Sequence, residues 1–265
     1  MTEKSLGTQE ESAVARRFDR RLSFIILAFE LPMMKRLHYI QHVPYETPGN
    51  ILDWSTTAGV VISSTRLYNG ESLPNPDSFD CLIVMGGPMG VHDDTKYRWL
   101  RDEKRFIESS MKSGKAVVGI CLGAQIVAHV LGAGVKQNDY KEIGWFPIET
   151  TSENRSVPLT GFLPDSLTVF HWHGETFDIP SSSVRIAGSE GCANQGFVYG
   201  DRVVALQFHL EMTRDTLAEM VKHGRHELVP GKYVQDERSI MEDNIHIRQN
   251  NEYIFRLLTN LSELG

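Results

Sequence analysis

The stretch Gly119-Ile120-Cys121-Leu122-Gly123-Ala124-Gln125 sets a cysteine between an apolar run, Ala116–Cys121, and a segment, Gly123–Leu131, that is apolar nearly all round. A short run of aliphatic residues is the pattern of a strand covered on both faces, and the segment behind it is that of a buried helix. Strand, sharp turn and buried helix is the unit of an α/β sheet. Glycines two residues to either side of Cys121 permit a tight bend with close backbone approach, the thiol version of a G-x-S-x-G turn. Cys121 then stands at a helix N-terminus, where the dipole and free N–H groups favour thiolate. The bland alternative is one more buried core cysteine, and the glycine bracket argues against it.

Working outward, further strand candidates are Ser23–Phe29, Val60–Thr65, Cys81–Met85, Leu167–Phe170 and Arg202–Phe208. Between Tyr97 and Ser113, Leu100, Ile107 and Met111 recur at helical spacing beside Trp99 and Phe106, opposite a wet face of Arg101, Asp102, Glu103 and Lys104. Gly114 is the stop signal. After Met212 the pattern turns helical, with Leu217, Met220 and Val221 on one stripe and Ile254, Leu257, Leu258 and Leu261 on another, separated by Pro230-Gly231. The expected organisation is a flexible polar leader over 1–21, an α/β domain over 22–212, and a helical extension over 213–265 that packs on the domain. The expected fold is a mostly parallel central sheet flanked by helices.

The 265 residues are 41% hydrophobic and 23% charged, with a net charge of −7. Such a chain buries a core without help from disulfides, and its acidic balance argues against nucleic acid or anionic lipid as partners. Cys81, Cys121 and Cys192 are odd in number, far apart and without C-x-x-C spacing, which fits a reducing compartment. Arg16, Arg17, Arg20 and Arg21 before Leu22–Phe29 superficially copy a signal peptide. Glu30 and Pro32 interrupt that pattern, no small-residue cleavage site follows, and a buried first strand is the better reading. No stretch approaches the roughly 20 apolar residues of a membrane span. A cytoplasmic location is expected.

A thiolate nucleophile needs a base and an orienting acid, and Gln207-Phe208-His209-Leu210-Glu211 offers both directly after a strand. If the extended conformation persists, His209 and Glu211 project to one side as i and i+2. Gly86-Gly87-Pro88-Met89-Gly90, at the end of the Cys81–Met85 strand, leaves backbone N–H groups open to a developing negative charge. His171, His173 and Glu175 have the alternating H-x-H-x-E spacing of a possible metal site, but further ligands are not evident and no metal is expected. His129 reads as a hydrogen-bonded core residue, His223, His226 and His246 as solvated, and Cys81 and Cys192 as structural.

These three segments, Gly86–Gly90, Gly119–Gln125 and Gln207–Glu211, resemble in order and approximate spacing the motifs of class I glutamine amidotransferases, over about residues 22–212. Within that family, Lys141-Glu142-Ile143-Gly144-Trp145 and Phe170-His171-Trp172-His173-Gly174-Glu175-Thr176-Phe177 resemble phrases of the stand-alone type 1 proteins. The resemblance implies the flavodoxin-like fold of that family and a catalytic triad at Cys121, His209 and Glu211. It implies oxyanion donors at the backbone of Gly87 and Leu122. Substrate contacts are implied at Met89 and Gln125 and along the loop Trp172, His173, Gly174 and Glu175. Leu210, where many members have proline, and Gly90, where related domains often carry serine, are departures.

The implied reaction is hydrolysis of the γ-amide of L-glutamine through a γ-glutamyl thioester, releasing glutamate and ammonia without a cofactor. The 265 residues contain no G-x-x-x-x-G-K-[ST] loop, so a separate synthetase subunit is the expected ammonia acceptor. A γ-glutamyl peptidase or hydrolase acting on another γ-glutamyl amide is the alternative, and a glutamine-binding module without turnover is a third reading.

Overall fold

In a computed structural model of the chain, residues 34–243 and 245–264 are described. The expected first strand, Ser23–Phe29, and the leader 1–21 lie outside the described residues. The strands are β1 (Arg36–Gln41), β2 (Val61–Arg66), β3 (Cys81–Val84), β4 (Ala116–Ile120), β5 (Val135–Thr150), β6 (Ser166–Phe177), β7 (Ser183–Gly188), β8 (Gly196–Tyr199), β9 (Val203–Leu206) and β10 (Tyr233–Val234). The α-helices are α1 (Ile51–Ala58), α2 (Trp99–Lys112), α3 (Leu122–Val130), α4 (Arg214–Gly224), α5 (Glu237–Glu242) and α6 (Ile245–Glu263).

All ten strands join one sheet in the order β10-β5-β7-β8-β9-β4-β3-β1-β2, with β6 on β5. From β2 through β1, β3 and β4 to β9 every neighbour is parallel. From β9 outward through β8, β7 and β5 to β6 the pairing is antiparallel. Mostly parallel strands covered by helices are therefore present, extended by antiparallel strands of which the apolar pattern named only β6, at Leu167–Phe170.

Side chains alternate across a strand, and here both faces are covered. Cys81, Ile83 and Met85 join one core with Ile51 and Trp54 of α1 and with Ile254, Leu257, Leu258 and Leu261 of α6. Leu82 and Val84 join the other, with Leu100, Phe106 and Ile107 of α2 and the apolar residues of α3. The amphipathic stripe of α6 is thus buried on its own sheet, and Trp54 Nε1 donates to Thr259 Oγ1 at 3.1 Å. Leu217, Met220 and Val221 of α4 close a third, smaller cluster with Trp145 and Phe170.

Two strands were hidden by polar residues. In β1, His38 is buried with its ring nitrogens 2.8 and 3.0 Å from the Ser63 and Thr65 hydroxyls, so a core strand carries an imidazole that no apolar period reveals. The first half of β5, Lys136–Lys141, is largely exposed and reads as a loop, yet its Val135–Gln137 segment and then Glu142 onward pair with β6 across an irregularity.

The bend between β4 and α3 depends on two missing side chains. A Cβ on Gly119 would lie 2.6 Å from the Gly123 carbonyl group, and one on Gly123 would lie 2.0 Å from the Val84 carbonyl oxygen. Gly123→Ala is therefore expected to lower the unfolding free energy by about 1–3 kcal/mol, as overpacking does. Gly114→Ala, with positive φ but nothing within 4 Å, is expected to cost only about 1 kcal/mol. Equal denaturant midpoints for the two variants would refute this account of the bend.

Candidate active site

Cys121 sits on the bend itself, with φ 52° and ψ −109°, a conformation L-residues rarely adopt. The strain is held by β4 behind it, where its N–H donates to Leu206 O of β9 at 2.8 Å, and by α3 ahead, where its carbonyl accepts from Gln125 N at 3.1 Å. α3 begins at Leu122, and the Leu122 N–H points at the Cys121 sulfur. The thiol donates weakly to the Trp172 carbonyl at 3.6 Å.

β9 ends at Leu206, and the chain then bends at Gln207, Phe208 and Leu210. Between these bends His209 N donates to Phe170 O at 2.8 Å, an isolated antiparallel bridge that ties the segment to β6. The strand does not persist, yet His209 and Glu211 still come together, with Nδ1 2.7 Å from Oε1, although Leu210 replaces proline between them. Both side chains are buried. The Cys121 thiol helps to raise His209, whose Nε2 makes no hydrogen bond among the described residues. Behind Glu211, the turn after β1 is packed against its backbone. Asn50 N donates to Glu211 O at 2.9 Å, and Gly49 has φ +52° and no room for a Cβ, 2.1 Å from that oxygen.

A cleft of about 430 Å³ opens above Cys121. Gly87, Met89, Gln125, Trp172, His173, Gly174 and Glu175 all line it, so every side chain or loop assigned by resemblance to substrate contact faces one space. Gln125 Nε2 is anchored 3.2 Å from Gln207 Oε1. Four further contributors had no sequence signal of their own. Tyr45 and Glu46 come from the turn after β1, and His223 and Glu227 from the end of α4 and just beyond it. Tyr45 stacks on His223 at 4.2 Å between ring centroids, and Trp172 Nε1 donates to Glu227 Oε1 at 3.2 Å. A Cβ on Gly224 would strike the Trp172 indole at 2.2 Å, so α4 is seated directly on the candidate substrate segment of β6. His223 and His226 are exposed, as read, and also line the cleft.

Burial pushes the Cys121 thiol up, against the pull of His209 and the Leu122 N–H, so the helix terminus does not by itself leave a thiolate. Burial would lower His209, but the Glu211 charge holds it well above the usual imidazole value. Glu46 lies at the edge of the triad, where a Cβ on Gly86 would meet its Oε2 at 2.2 Å and His209 Cε1 at 3.4 Å. Burial raises its carboxyl to about 7, although His209 and His42 pull the other way.

The H-x-H-x-E spacing resolves differently from its sequence reading. Glu175 faces the cleft, and the carboxylate beside His171 and His173 is Glu142 of β5. Glu142 Oε2, His171 Nδ1 and His173 Nε2 lie within 4.8 Å of one another and offer ligand atoms for a cation. The carboxylate already accepts from Ser189 Oγ at 2.6 Å and Gln195 Nε2 at 2.7 Å, and stands 3.2 Å from His173 Nε2. Burial opposes its charge, yet His173 and His171 hold it down at about 2, while burial holds His171 near 3 and hence neutral. The set ties β5 to β6, and residues 172–175, expected as a loop, are part of that strand. His129 is only half-buried, edge-on to His92 at 5.2 Å, rather than a core histidine. Cys81 and Cys192 are buried and unpaired, and burial raises Cys81 to about 12.

No helix among the described residues is long and apolar enough to cross a membrane. Comparison with known proteins agrees with the geometry. The family model for glutamine amidotransferase class I matches residues 33–226. The chain is 35% identical over 232 residues to the glutamine amidotransferase-like protein YfeJ of Salmonella typhimurium, covering 86% of this chain and 97% of that protein. The crystal structure of a glutamine amidotransferase from Thermotoga maritima superposes with a TM-score of 0.79 at 34% identity, covering 86% of this chain and 98% of that one. At greater distance, the chain is 26% identical over 174 residues to γ-glutamyl peptidase 3 of Arabidopsis thaliana, 63% of this chain and 68% of that protein. With the family model spanning most of its length, this chain belongs to the class I glutamine amidotransferases.

Proposed function

We propose that the chain hydrolyses the γ-carboxamide of L-glutamine, with Cys121 as nucleophile, His209 as acid and base, and Glu211 as the group that orients and charges the imidazole. The observation that carries this reading is a strained Cys121 and the Gly87 loop on one cleft, with the buried His209–Glu211 pair at 2.7 Å behind the thiol. Cys121 Sγ forms a bond to the amide carbon as its proton passes to His209 Nε2. The carbonyl oxygen takes up the electron pair and is met by the Gly87 and Leu122 N–H groups. As the C–N bond breaks, His209 returns the proton to the departing ammonia and a γ-glutamyl thioester remains. A water gives its proton to His209, adds to the thioester carbon, and glutamate leaves as the thiol recovers its proton. Glu211 stabilises the imidazolium at each transfer. Met89, Gln125 and the backbone of 172–175 are assigned to holding the substrate, and the ammonia to a synthetase subunit.

A second reading, hydrolysis of a larger γ-glutamyl amide, is favoured by the extent of the cleft beyond Cys121, toward Tyr45, His223, His226 and Glu227. Only the leaving group differs. Room there admits an amino acid or peptide amine where glutamine releases ammonia.

Cys121→Ala is expected to abolish glutamate release from L-glutamine, by at least about 10³-fold, without loss of folding. Release that survives in the variant sinks the cysteine mechanism, and competition by a γ-glutamyl dipeptide far below the KM for glutamine selects the second reading. Glu46 tests the electrostatics. Its carboxyl titrates near 7, and its charged form raises the Cys121 thiol. Glu46→Gln should therefore lower the apparent pKa of Cys121 alkylation by iodoacetamide, with the gain in rate confined to pH above about 7, where the wild-type carboxylate is ionised. An unchanged alkylation profile would remove Glu46 from the account.

A further inference from the structure

We propose that the buried His42–Glu103 pair is a positioning device for the oxyanion-binding peptide, turning the Gly86–Gly87 peptide so that the Gly87 N–H faces the cleft. This rests on the reading above that the Gly87 N–H receives the substrate's oxygen. His42 directly follows β1, and Glu103 lies on α2. Both side chains are fully buried, with His42 Nδ1 2.8 Å from Gly86 O and Nε2 2.8 Å from Glu103 Oε1. A carbonyl oxygen only accepts, so Nδ1 carries a proton, and a carboxylate only accepts, so Nε2 carries the other. Burial opposes that charge, but Glu103 and the Gly86 carbonyl outweigh it and raise His42.

The peptide then has no freedom. The described residues contain no cis peptide bond. In a planar trans peptide, C=O and N–H point to opposite sides. With the Gly86 carbonyl drawn inward to His42, the Gly87 N–H is turned outward, to the side where Gly87 lines the cleft with Cys121. It finds no acceptor among the described residues. His42 also backs the peptide sterically, its Cβ 3.0 Å from where a Gly87 Cβ would stand, and its ring stacks on Trp99 at 5.5 Å. A buried ion pair is seldom better for stability than apolar residues of the same volume. What this pair adds is a charge-assisted bond, stronger than a neutral one, on the peptide that must not rotate when negative charge develops beside it.

The test compares two double variants of the full chain, each first checked for folding by denaturation. His42→Leu with Glu103→Leu removes the donor and leaves no unpaired charge. His42→Asn with Glu103→Gln keeps an amide donor where Nδ1 stood. The Leu pair is expected to lose about 100-fold in kcat for glutamate release, with KM changed less than about twofold. Its affinity for glutamate γ-semialdehyde, which Cys121 converts to a tetrahedral oxyanion adduct, should fall by the same factor. The Asn/Gln pair should recover at least about tenfold of both losses. Wild-type kcat in a folded Leu pair, a loss confined to KM, or an Asn/Gln pair no better than the Leu pair would each overturn the assignment. If the wild-type protein neither releases glutamate nor takes the aldehyde, the hydrolase reading is what fails. The crystal structures of the variants then decide the positioning: a Gly86–Gly87 peptide rotated in the Leu pair alone supports it, and an unrotated one overturns it.

Discussion

The site depends on one close approach, α3 lying so near β3 and β4 that neither Gly119 nor Gly123 has space for a Cβ. Only backbone meets backbone there, and the chain between them must reverse within a single residue. Cys121 absorbs that reversal at positive φ. The strain is sustained because strand and helix are both locked into cores, β4 buried throughout and α3 buried from Leu122 to Ala128. A nucleophile on such a bend stands clear of both elements, with helix N–H groups aimed past it.

Around this bend the protein spends buried polar groups freely, and each set restrains one wall of the cleft. His209–Glu211 stands behind the sulfur, His42–Glu103 behind Gly86, and Glu142 with His171 and His173 behind the end of β6 that carries Trp172 and Gly174. Such networks are costly if half satisfied. Their partners come from different strands and helices, so none of the three sets is local in sequence apart from the His209–Glu211 pair. The C-terminal helices complete the enclosure. α6 covers one face of the sheet, while α4 seats Gly224 on Trp172 and brings His223 onto Tyr45.

The chemistry follows from how charge is distributed over these walls. Burial alone would keep the thiol protonated and the imidazole neutral. Glu211 reverses that preference for His209, while Glu46 reinforces it for Cys121. In the proposed reaction, the balance between the two carboxylates sets how readily a proton would move from sulfur to imidazole. The walls beyond Cys121 are built largely by the turn after β1 and by α4.

What the sequence by itself determined was whatever is local. The strand–bend–helix at 116–131 is written in an apolar run, two glycines and a cysteine, and His209 and Glu211 are only two residues apart, close enough to pair in the bent segment that carries them. The Gly86–Gly90 turn and the amphipathic stripes of α2, α4 and α6 are legible for the same reason, that period and punctuation are short-range. Only the tertiary structure decided the rest. β1 carries its buried histidine against hydroxyls from β2, and the first half of β5 is polar because both its faces meet water, so neither shows an apolar period. Glu142 takes the place beside His171 and His173 that spacing offered to Glu175, because strand pairing sets Glu142 of β5 directly opposite His173 of β6. His42 with Glu46, Glu103, and His223 reach the site from three separate segments, and no pattern within any one segment records which distant carbonyl, carboxylate or ring it will meet.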